Sequence, residues 1–366
     1  MAEDYNYAQY ETVATVTAGV DETVIENTSR EAVYVSTQAG TTFNYGGSEY
    51  ESNGEYLMIE PEQSVSVSNT ETAAYADSAL SVSLRPLDIA EKKFYASYGE
   101  YPQTYVGDTL NETLKGLADS AKTGKQYTTD IDGIETILEE YLYEGEKYVK
   151  LSLVNTYENN YTFKDGITIV ETTGTVYFFL VEPILCKAME INGSKATMIT
   201  VEILGSMAFD HENEVYDNSW KNSDIREYLN NIFLNESGLR SIVQSSIIEN
   251  KDEWQTSTTE DNTKDKLFLA SAEEICRWSG ASYDQFIANY WLDDENNSKR
   301  QIKPTDMAIA TYCYYYKTNN TGSYWLRSPG DNGSGVCFVG IAGNVNTNYN
   351  YFNTCFGFCP CFVVEI

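Results

Sequence analysis

Basic side chains are scarce in this sequence. Its 366 residues include 24 Lys and Arg and one His against 55 Asp and Glu, so the formal net charge at pH 7 is −31. Contact with a nucleic-acid backbone needs clustered Lys and Arg, and anionic membrane surfaces attract the same side chains. The charge balance therefore excludes nucleic acid as a partner and argues against anionic membrane surfaces.

Long apolar runs are also missing. No stretch approaches the roughly 20 apolar residues that a membrane-spanning helix requires, so we expect no membrane insertion. The first residues, MAEDYNYAQYE, are acidic and polar, unlike a secretory signal peptide. We expect the chain either to stay in the cytoplasm or to be carried on a larger assembly such as a virus particle.

Thiols and imidazoles are too few for a recognisable metal site or catalytic triad. Seven Cys are present, and four of them lie near the end of the chain: Cys337, Cys355, Cys359 and Cys361. Structural zinc needs four ligands at characteristic spacings, which this arrangement lacks. The single His, His211, stands in the polar stretch FDHENE and is expected to be solvated. We therefore predict no metal, no cofactor and no catalytic residue.

The end of the chain lacks eight residue types at once. From Asp331 to Val364 there is no Lys, Arg, His, Glu, Gln, Met, Trp or Leu, although the rest of the chain uses most of these freely. Every residue type that remains has a codon reachable from AAC or AAT by changing only adenines, whereas Lys, Glu, Gln, Met and Trp have none. Tyr, Asn, Ser and Gly are also the residues that paratopes favour. This composition indicates a binding surface randomised on a fixed scaffold.

The N-terminal part of the chain predicts many short strands. Between residues 10 and 85, β-branched and small polar residues alternate with period two in ETVATVTAGV, EAVYVSTQAG and QSVSVSN, separated by turn residues. Short strands with regular turn spacing favour a small antiparallel sandwich or barrel, and we expect a sandwich-like domain. Because Arg85-Pro86 ends this pattern, we place a linker near residues 86–92, a first domain at 1–86 and a second at 93–366.

The second domain predicts strands mixed with short helices. The segments YVKLSLV, TVYFFLVEPILCKAM and KATMITVEIL are typical of strands. Ser223 and Ser271 are plausible N-caps, and Glu274 stands at the capping-box position three residues after Ser271. The five Trp are expected in or near the core. The predicted fold class is α+β.

From about Lys93 to the end, the chain resembles a bacterial and phage family with a C-type-lectin-like fold, of the formylglycine-generating-enzyme subtype. The matching pieces occur in order and span about three quarters of the chain: SYGEYPQT, YVKL, YFFLVEPI, NSDIREYLNNIF, DKLFLASAEE, RQIKPTDMAIA, YWLRSPG and GFCPCFVV. The first domain has a weaker resemblance to phage accessory modules, carried by TVTAGVDETVIENTS and EAVYVST.

Members of this family often serve as variable proteins of diversity-generating retroelements, which write errors at template adenines into the 3′ end of a gene. The resemblance implies a variable region at about residues 331–359, held by framework positions. The framework positions would be Trp325, Leu326, Arg327, Ser328, Pro329, Gly330, Phe338, Val339, Gly343, Val345, Phe352, Gly357 and Pro360. The ligand-binding candidates would be Asn332, Ser334, Gly340, Ile341, Asn344, Asn346, Thr347, Asn348, Tyr349, Asn350, Tyr351, Asn353, Thr354, Cys355 and Phe356.

Among these candidates, Tyr349, Tyr351 and Phe356 are expected to be solvent-exposed, because exposed aromatic clusters mark interfaces. Phe338, Val345, Phe362 and Val364 are expected to anchor strands to the core, and Gly343 and Gly357 to permit turns. The family usually carries Arg where this chain has Cys359, which leaves the contact roles of Cys355 and Cys359 open.

The resemblance implies a non-enzymatic protein that binds a protein or cell-surface ligand through its variable face. It would be displayed on a phage particle, with the N-terminal domain attached to a phage structural protein; homo-oligomerisation stays open. The alternatives are a host-encoded cytoplasmic variable protein, a lectin of fixed specificity, and an enzyme of the formylglycine-generating type. Calcium-dependent sugar binding is disfavoured, because Asp331 is the only acid in the tail before Glu365.

Overall fold

Short alternating segments of β-branched residues form the strands of the N-terminal part, as period-two alternation predicts. The computed structural model divides the chain into two units, Met1–Ser97 and Tyr98–Ile366. Up to residue 94 it describes strand backbones; after that it describes residues 95–131, 133–153, 162–164, 174–211, 218–256 and 261–366. Of the expected linker at 86–92, Leu87–Asp88 forms a strand and the rest lies outside the described residues.

The strands of the first unit are β1 (Glu11–Thr17), β2 (Thr23–Glu26), β3 (Val33–Ser36), β4 (Thr42–Tyr45), β5 (Ser48–Glu51), β6 (Tyr56–Ile59), β7 (Ser64–Ser68), β8 (Ala79–Arg85) and β9 (Leu87–Asp88). Strands β1 to β8 build two four-stranded antiparallel sheets with the orders β1-β8-β3-β6 and β2-β7-β4-β5, whereas β9 pairs with the strand that starts at Lys93. The prediction of many short antiparallel strands in this part is confirmed.

The strands that follow are β10 (Lys93–Tyr105), β11 (Lys122–Ile131), β12 (Ile134–Tyr143), β13 (Glu146–Ser152), β14 (Val176–Asn192), β15 (Lys195–Thr200), β16 (Glu202–Ile203), β17 (Gly205–Ser206), β18 (Ser246–Ile248), β19 (Thr263–Asp265), β20 (Leu267–Phe268), β21 (Trp291–Leu292), β22 (Lys303–Pro304), β23 (Tyr315–Tyr316), β24 (Thr321–Gly322), β25 (Tyr324–Pro329), β26 (Gly335–Val339), β27 (Val345–Asn350), β28 (Gly357–Phe358) and β29 (Cys361–Glu365). The larger sheet has the order β11-β12-β13-β14-β15-β29-β20, and β10 also pairs with β14. A second sheet has the order β17-β28-β25-β26-β27-β21.

The helices are α1 (Asp108–Lys115), α2 (Asp224–Glu227), α3 (Leu234–Glu236), α4 (Ala272–Ser279), α5 (Tyr283–Asn289), α6 (Asn297–Arg300) and α7 (Asp306–Ala310). A π-helical segment, Tyr228–Phe233, joins α2 to α3, and single 3-10 turns occupy Asp119–Ala121, Trp220–Asn222 and Leu239–Ser241. In the described part of the chain, no helix has the length and apolar character to cross a membrane.

Both predicted helix caps are confirmed. The Ser223 side chain accepts a hydrogen bond from the backbone N–H of Arg226. At α4 the Ser271 hydroxyl accepts from Glu274 N, and the Glu274 carboxylate accepts from Ser271 N at 2.8 Å, which completes the capping box. Short capped helices combined with mainly antiparallel sheets make the fold class α+β, as predicted.

The last strand ties the end of the chain into the core of the second unit. β29 lies between β15 and β20 in the larger sheet, with Phe362 opposite Met198 on one side and Leu267 on the other. Phe362 and Val364 are buried, as expected for residues that anchor a strand. The C-terminal end of the segment that precedes β29 is therefore fixed to an interior strand of the larger sheet.

Candidate functional site

The C-terminal tail, residues 331–359, supplies strands β26, β27 and β28 of the second sheet. Three predicted contact positions are exposed: Asn348, Tyr349 and Asn350. Seven are half-buried: Asn332, Ser334, Ile341, Asn346, Asn353, Thr354 and Cys355. Five are buried: Gly340, Asn344, Thr347, Tyr351 and Phe356. The structure thus brings the candidates together in one region but places only part of them at the surface.

A β-bulge turns Tyr349 toward the same side of the sheet as Asn346. Val336 pairs with Tyr349 and Phe338 pairs with Asn346, so three residue steps on β27 match two on β26. Since Val336 and Phe338 are two apart and share a face, their partners share it as well. Asn350 pairs with Gly335 and so points to the other side of the sheet. The four residues of β27 that are not buried, Asn346, Asn348, Tyr349 and Asn350, are hereafter called the outer positions.

Phe356 was expected to be exposed, and that expectation is wrong. Its ring lies 4.4 Å from the Tyr349 ring and 4.7 Å from each of the rings of Phe338 and Trp325, measured between centroids. Phe356 therefore fills the space between the framework residue Trp325 and the half-covered Tyr349. It supports the outer positions from beneath and does not offer its own surface to a ligand.

The expectation that Tyr351 is exposed is also wrong. Tyr351 is 1 % exposed, and its carbonyl oxygen accepts hydrogen bonds from the backbone N–H groups of Phe209 and Asp210, at 2.7 and 3.1 Å. The neighbouring Phe352, predicted as framework, is instead 47 % exposed. The burial of the two aromatic residues is thus the reverse of the prediction. In the turn at this point, Tyr351 is hydrogen-bonded to the core and Phe352 faces solvent.

Several Asn side chains of the tail are engaged in turns. The Asn332 carboxamide oxygen accepts hydrogen bonds from the backbone N–H and hydroxyl of Ser334, and its amide donates to the Asn348 oxygen at 3.1 Å. The Asn353 oxygen accepts from Cys355 N at 2.9 Å. Local hydrogen bonding of this kind is what makes Asn frequent in turns. Asn332 and Asn353 thus shape the loops that flank the outer positions.

The turn between β26 and β27 is clamped by a residue that the sequence did not single out. The Arg300 guanidinium is buried and donates to the Gly343 carbonyl oxygen at 2.7 Å. Gly343 has φ +84°, and a Cβ there would lie 2.0 Å from the Asn297 carbonyl oxygen, so the predicted need for Gly is confirmed. Gly357 lies in a strand, where Ile203 leaves no room for a Cβ; close packing, and not a turn, requires that Gly.

His211 was expected to be solvated, but it is held between two carboxylates. Its Nδ1 and Nε2 lie 3.1 Å from Asp224 and Asp130 oxygens respectively. These contacts, with that to Asp130 the largest, raise the pKa of His211 to about 10. A Cβ on Gly133 would lie 3.9 Å from both His211 and Thr354, so the β11–β12 turn, the His211 loop and the tail meet here. A charged imidazolium at neutral pH cannot serve as a general base.

We predict that the His211 ion pairs stabilise the protein at neutral pH and fail in alkali. The folded pKa, about 10, exceeds the ordinary 6.5, so this contribution is complete below pH 6.5 and disappears as pH rises through 10. The melting temperature of the wild type should fall toward that of His211→Gln across this window. Because the chain has one His, its NMR titration gives the midpoint directly. A midpoint near 6.5, or melting curves that stay parallel, would contradict the ion pairing.

The thiols of the tail are poorly placed for nucleophilic chemistry. Cys359 and Cys361 are buried, and burial raises the pKa of each thiol well above its ordinary value. The thiolate is the nucleophile and the metal ligand, so both thiols are held in the unreactive form at neutral pH. Cys355 is half-buried and stands at the rim of the aromatic cluster around Phe356.

A polar cleft of about 450 Å³ lies elsewhere on the second unit. Most of its charged lining is already engaged in three ion pairs: Lys251 with Glu273, Arg277 with Glu190, and Arg327 with Glu274. None of the fifteen predicted contact residues lines it. Charges satisfied within the protein leave little for a ligand to recognise, so the outer positions form the better candidate site.

Comparison with known families locates this region within a recurring domain. Residues 194–366 match a family described as Domain of unknown function (DUF6273). No curated protein matches the chain. No solved structure matches it either.

The DUF6273 match covers fewer than half of the residues of the chain. It nevertheless contains every strand of the second sheet, β17, β21, β25, β26, β27 and β28. The outer positions, the Arg300 clamp and His211 all lie inside it. The part of the chain that carries the candidate site is thus similar to a domain found in other proteins.

Proposed function

We propose that this chain is a non-enzymatic ligand-binding protein whose C-terminal face is diversified by adenine-directed mutagenesis, as in the retroelement variable proteins it resembles. One observation carries the proposal. The outer positions are consecutive or nearly so on β27, and all are Asn or Tyr, residues reachable from AAC or AAT codons. The framework residues Trp325, Leu326, Phe338 and Val345 beneath them are buried, so changes at the outer positions need not disturb the core.

The division between framework and outer positions supports the proposal. Trp325, Leu326, Phe338 and Val345 are buried and belong to β25, β26 and β27. Antibody-like recognition requires this combination of a rigid support with exposed Tyr and adaptable amides. The alternative of a thiol-dependent enzyme is less well supported, because burial raises the pKa of the Cys359 and Cys361 thiols.

We further propose a C-type-lectin-like fold for the second unit and a β-sandwich for the first. The sandwich proposal is supported by the two four-stranded antiparallel sheets of the first unit. In this proposal the first unit attaches the chain to a phage particle, and the second presents the outer positions to a protein or cell-surface ligand. The weaker N-terminal resemblance to phage accessory modules supports virion display over a host-encoded cytoplasmic protein.

Deep sequencing of this gene across a natural population tests the proposal. Substitutions should concentrate at the codons of the outer positions, and a near-copy beside a reverse-transcriptase gene should read AAC or AAT there. The buried candidates, among them Thr347 and Tyr351, should vary less, because core positions accept few side chains. Trp325 provides the internal control and should be invariant. Invariant outer codons together with the absence of a near-copy would overturn the proposal.

A further inference from the structure

Two exposed aromatic residues outside the tail flank the outer positions. Trp291, which was expected in or near the core with the other Trp, is instead 45 % exposed, and it pairs with Asn346 across β21 and β27. Tyr314 is 43 % exposed, and its backbone N–H donates to the Cys355 carbonyl oxygen at 2.7 Å. Phe356, the residue after Cys355, packs against Tyr349 with 4.4 Å between ring centroids, so the backbone at Tyr314 is joined to the segment that supports the outer positions. The surface therefore continues beyond the tail on both sides.

Both flanking residues are held on rigid backbone. β21 is an edge strand in which Leu292 is buried against Val345 while Trp291 points outward, and the Thr347 hydroxyl donates to the Tyr290 carbonyl oxygen at 3.3 Å. The Tyr314 carbonyl oxygen accepts from Ser323 N at 2.9 Å. A side chain presented on fixed backbone loses little entropy on binding. Such presentation is typical of interface anchors.

Trp291 provides an indole side chain, which adenine-directed diversification cannot introduce at the outer positions. No change restricted to the adenines of AAC or AAT yields a Trp codon, whereas Trp is among the residues most enriched in binding hot spots. A fixed Trp beside variable Asn and Tyr positions gives every version of the surface one strong anchor. The variable positions then need only to set specificity.

The charge of the surroundings indicates what this surface binds. The second unit carries 39 Asp and Glu against 20 Lys and Arg, and the tail from Asp331 onward contains no basic residue. Asp293 and Glu295, immediately after β21, are exposed beside Trp291, while Lys317 is the exposed basic residue nearest in sequence to Tyr314. Trp is the best aromatic partner for a Lys or Arg cation, followed by Tyr. Acidic surroundings and an aromatic face are together complementary to a basic surface.

We infer that Trp291 and Tyr314 are fixed anchors of the diversified face, and that its partners are folded proteins presenting Lys and Arg there. The inference rests on the proposed function and deepens it. Trp291 and Tyr314 make the constant part of each contact through cation–π and apolar packing, while the outer positions adjust it.

A display library of the full chain tests the inference without knowledge of the natural ligand. The outer positions are randomised and the library is selected separately against lysozyme, a basic protein, against succinylated lysozyme, in which the lysines carry carboxylates, and against dextran. We expect binders mainly to unmodified lysozyme. Comparable recovery on succinylated lysozyme would overturn the basic-partner inference, and recovery on dextran alone would assign the face to carbohydrate.

Each selected binder is then measured with Trp291→Ala, Trp291→Phe, Tyr314→Ala and the control Leu142→Ala. Leu142 is an exposed apolar residue on β12, which belongs to the other sheet. We expect Trp291→Ala to weaken lysozyme binding about tenfold or more, Trp291→Phe less, Tyr314→Ala severalfold, and the control not at all. Unchanged melting temperatures exclude misfolding as the cause.

The outcomes separate the inference from the proposal beneath it. A library that yields no binder to any probe would overturn the proposed function, and the inference with it. If binders keep the same affinity without the Trp291 and Tyr314 side chains, the inference that these residues are anchors is overturned. The proposal of a diversified binding face would be unaffected by that result.

Discussion

Replacing Trp325 with alanine should lower the free energy of unfolding of the second unit by about 3–5 kcal/mol, the usual cost of truncating a buried aromatic residue. Trp325 is fully buried, and its indole N–H donates to the Met207 carbonyl oxygen at 3.0 Å. Its ring packs against Phe209 on one side and Phe356 on another. The substitution would leave both a cavity and a buried carbonyl without its donor, and would remove the support of the outer positions.

Urea unfolding followed by Trp fluorescence measures this effect within the full chain. All five Trp lie in the second unit, so the signal reports that unit alone, and four remain in the variant. The control is Trp291→Ala, which removes the same side chain from an exposed position of the same sheet and should cost about 1 kcal/mol or less. Equal losses for the two variants would show that Trp325 is not part of the core.

The features that follow from local sequence were predictable. Ser223 and Ser271 cap helices because their side chains satisfy N–H groups only three residues away. Strands such as β13 and β14 follow from apolar and β-branched segments. Burial of Trp325 was expected from the framework to which the resemblance assigned it. The helix caps and the strands depend on neighbouring residues, and the burial of Trp325 was inferred from a family pattern that its surrounding segment matches. A single sequence is enough to recognise both.

The orientation of tail residues was not predictable, because it depends on a bulge. Strict alternation would place Asn346 and Tyr349 on opposite faces of β27. The extra residue on β27 puts them on one face, and the hydrogen bonds of the Tyr351 carbonyl oxygen then draw Tyr351 inward and leave Phe352 outside. Composition predicted a surface in this region but could not say which of its residues reach solvent.

Contacts between residues distant in sequence were missed for a related reason. His211 looked solvated because the residues around it in the chain are polar, yet its partners Asp130 and Asp224 come from β11 and α2. Arg300 opens the matched segment RQIKPTDMAIA, but nothing in that segment indicated that its side chain would be buried at the end of α6. A histidine in an acidic stretch and an arginine among polar neighbours are compatible with many ion pairs, and only the fold selects one.

Replacing Arg300 with methionine should destabilise the second unit by about 3–5 kcal/mol, because the change leaves one member of a largely buried ion pair without its partner. The guanidinium donates to Asp294 Oδ1 at 2.7 Å, to the Ser279 hydroxyl at 3.1 Å and to the Gly343 carbonyl oxygen at 2.7 Å. Methionine fills similar volume but offers none of these donors. The free energy of unfolding of Arg300→Lys should lie between those of the wild type and Arg300→Met, because an ammonium keeps the charge but cannot reach all three acceptors.

The matched control for this prediction is Arg277→Met, because Arg277 pairs with Glu190 at 3.1 Å where the two side chains are 50 and 38 % exposed. An exposed pair contributes about 0–1 kcal/mol, so this variant should unfold close to the wild type in urea. Hydrogen exchange should also accelerate at the Gly340–Gly343 turn in Arg300→Met and not in Arg277→Met, since the bond from Arg300 to Gly343 is the buried one among the side-chain bonds to that turn, the others coming from Gln301 and Thr321. If the two variants lose the same stability and the turn stays equally protected, Arg300 does not hold β27 in place, and the rigidity of the outer positions comes from the other contacts of this region, among them the aromatic cluster around Phe356 and the hydrogen bond from Thr347 to Tyr290.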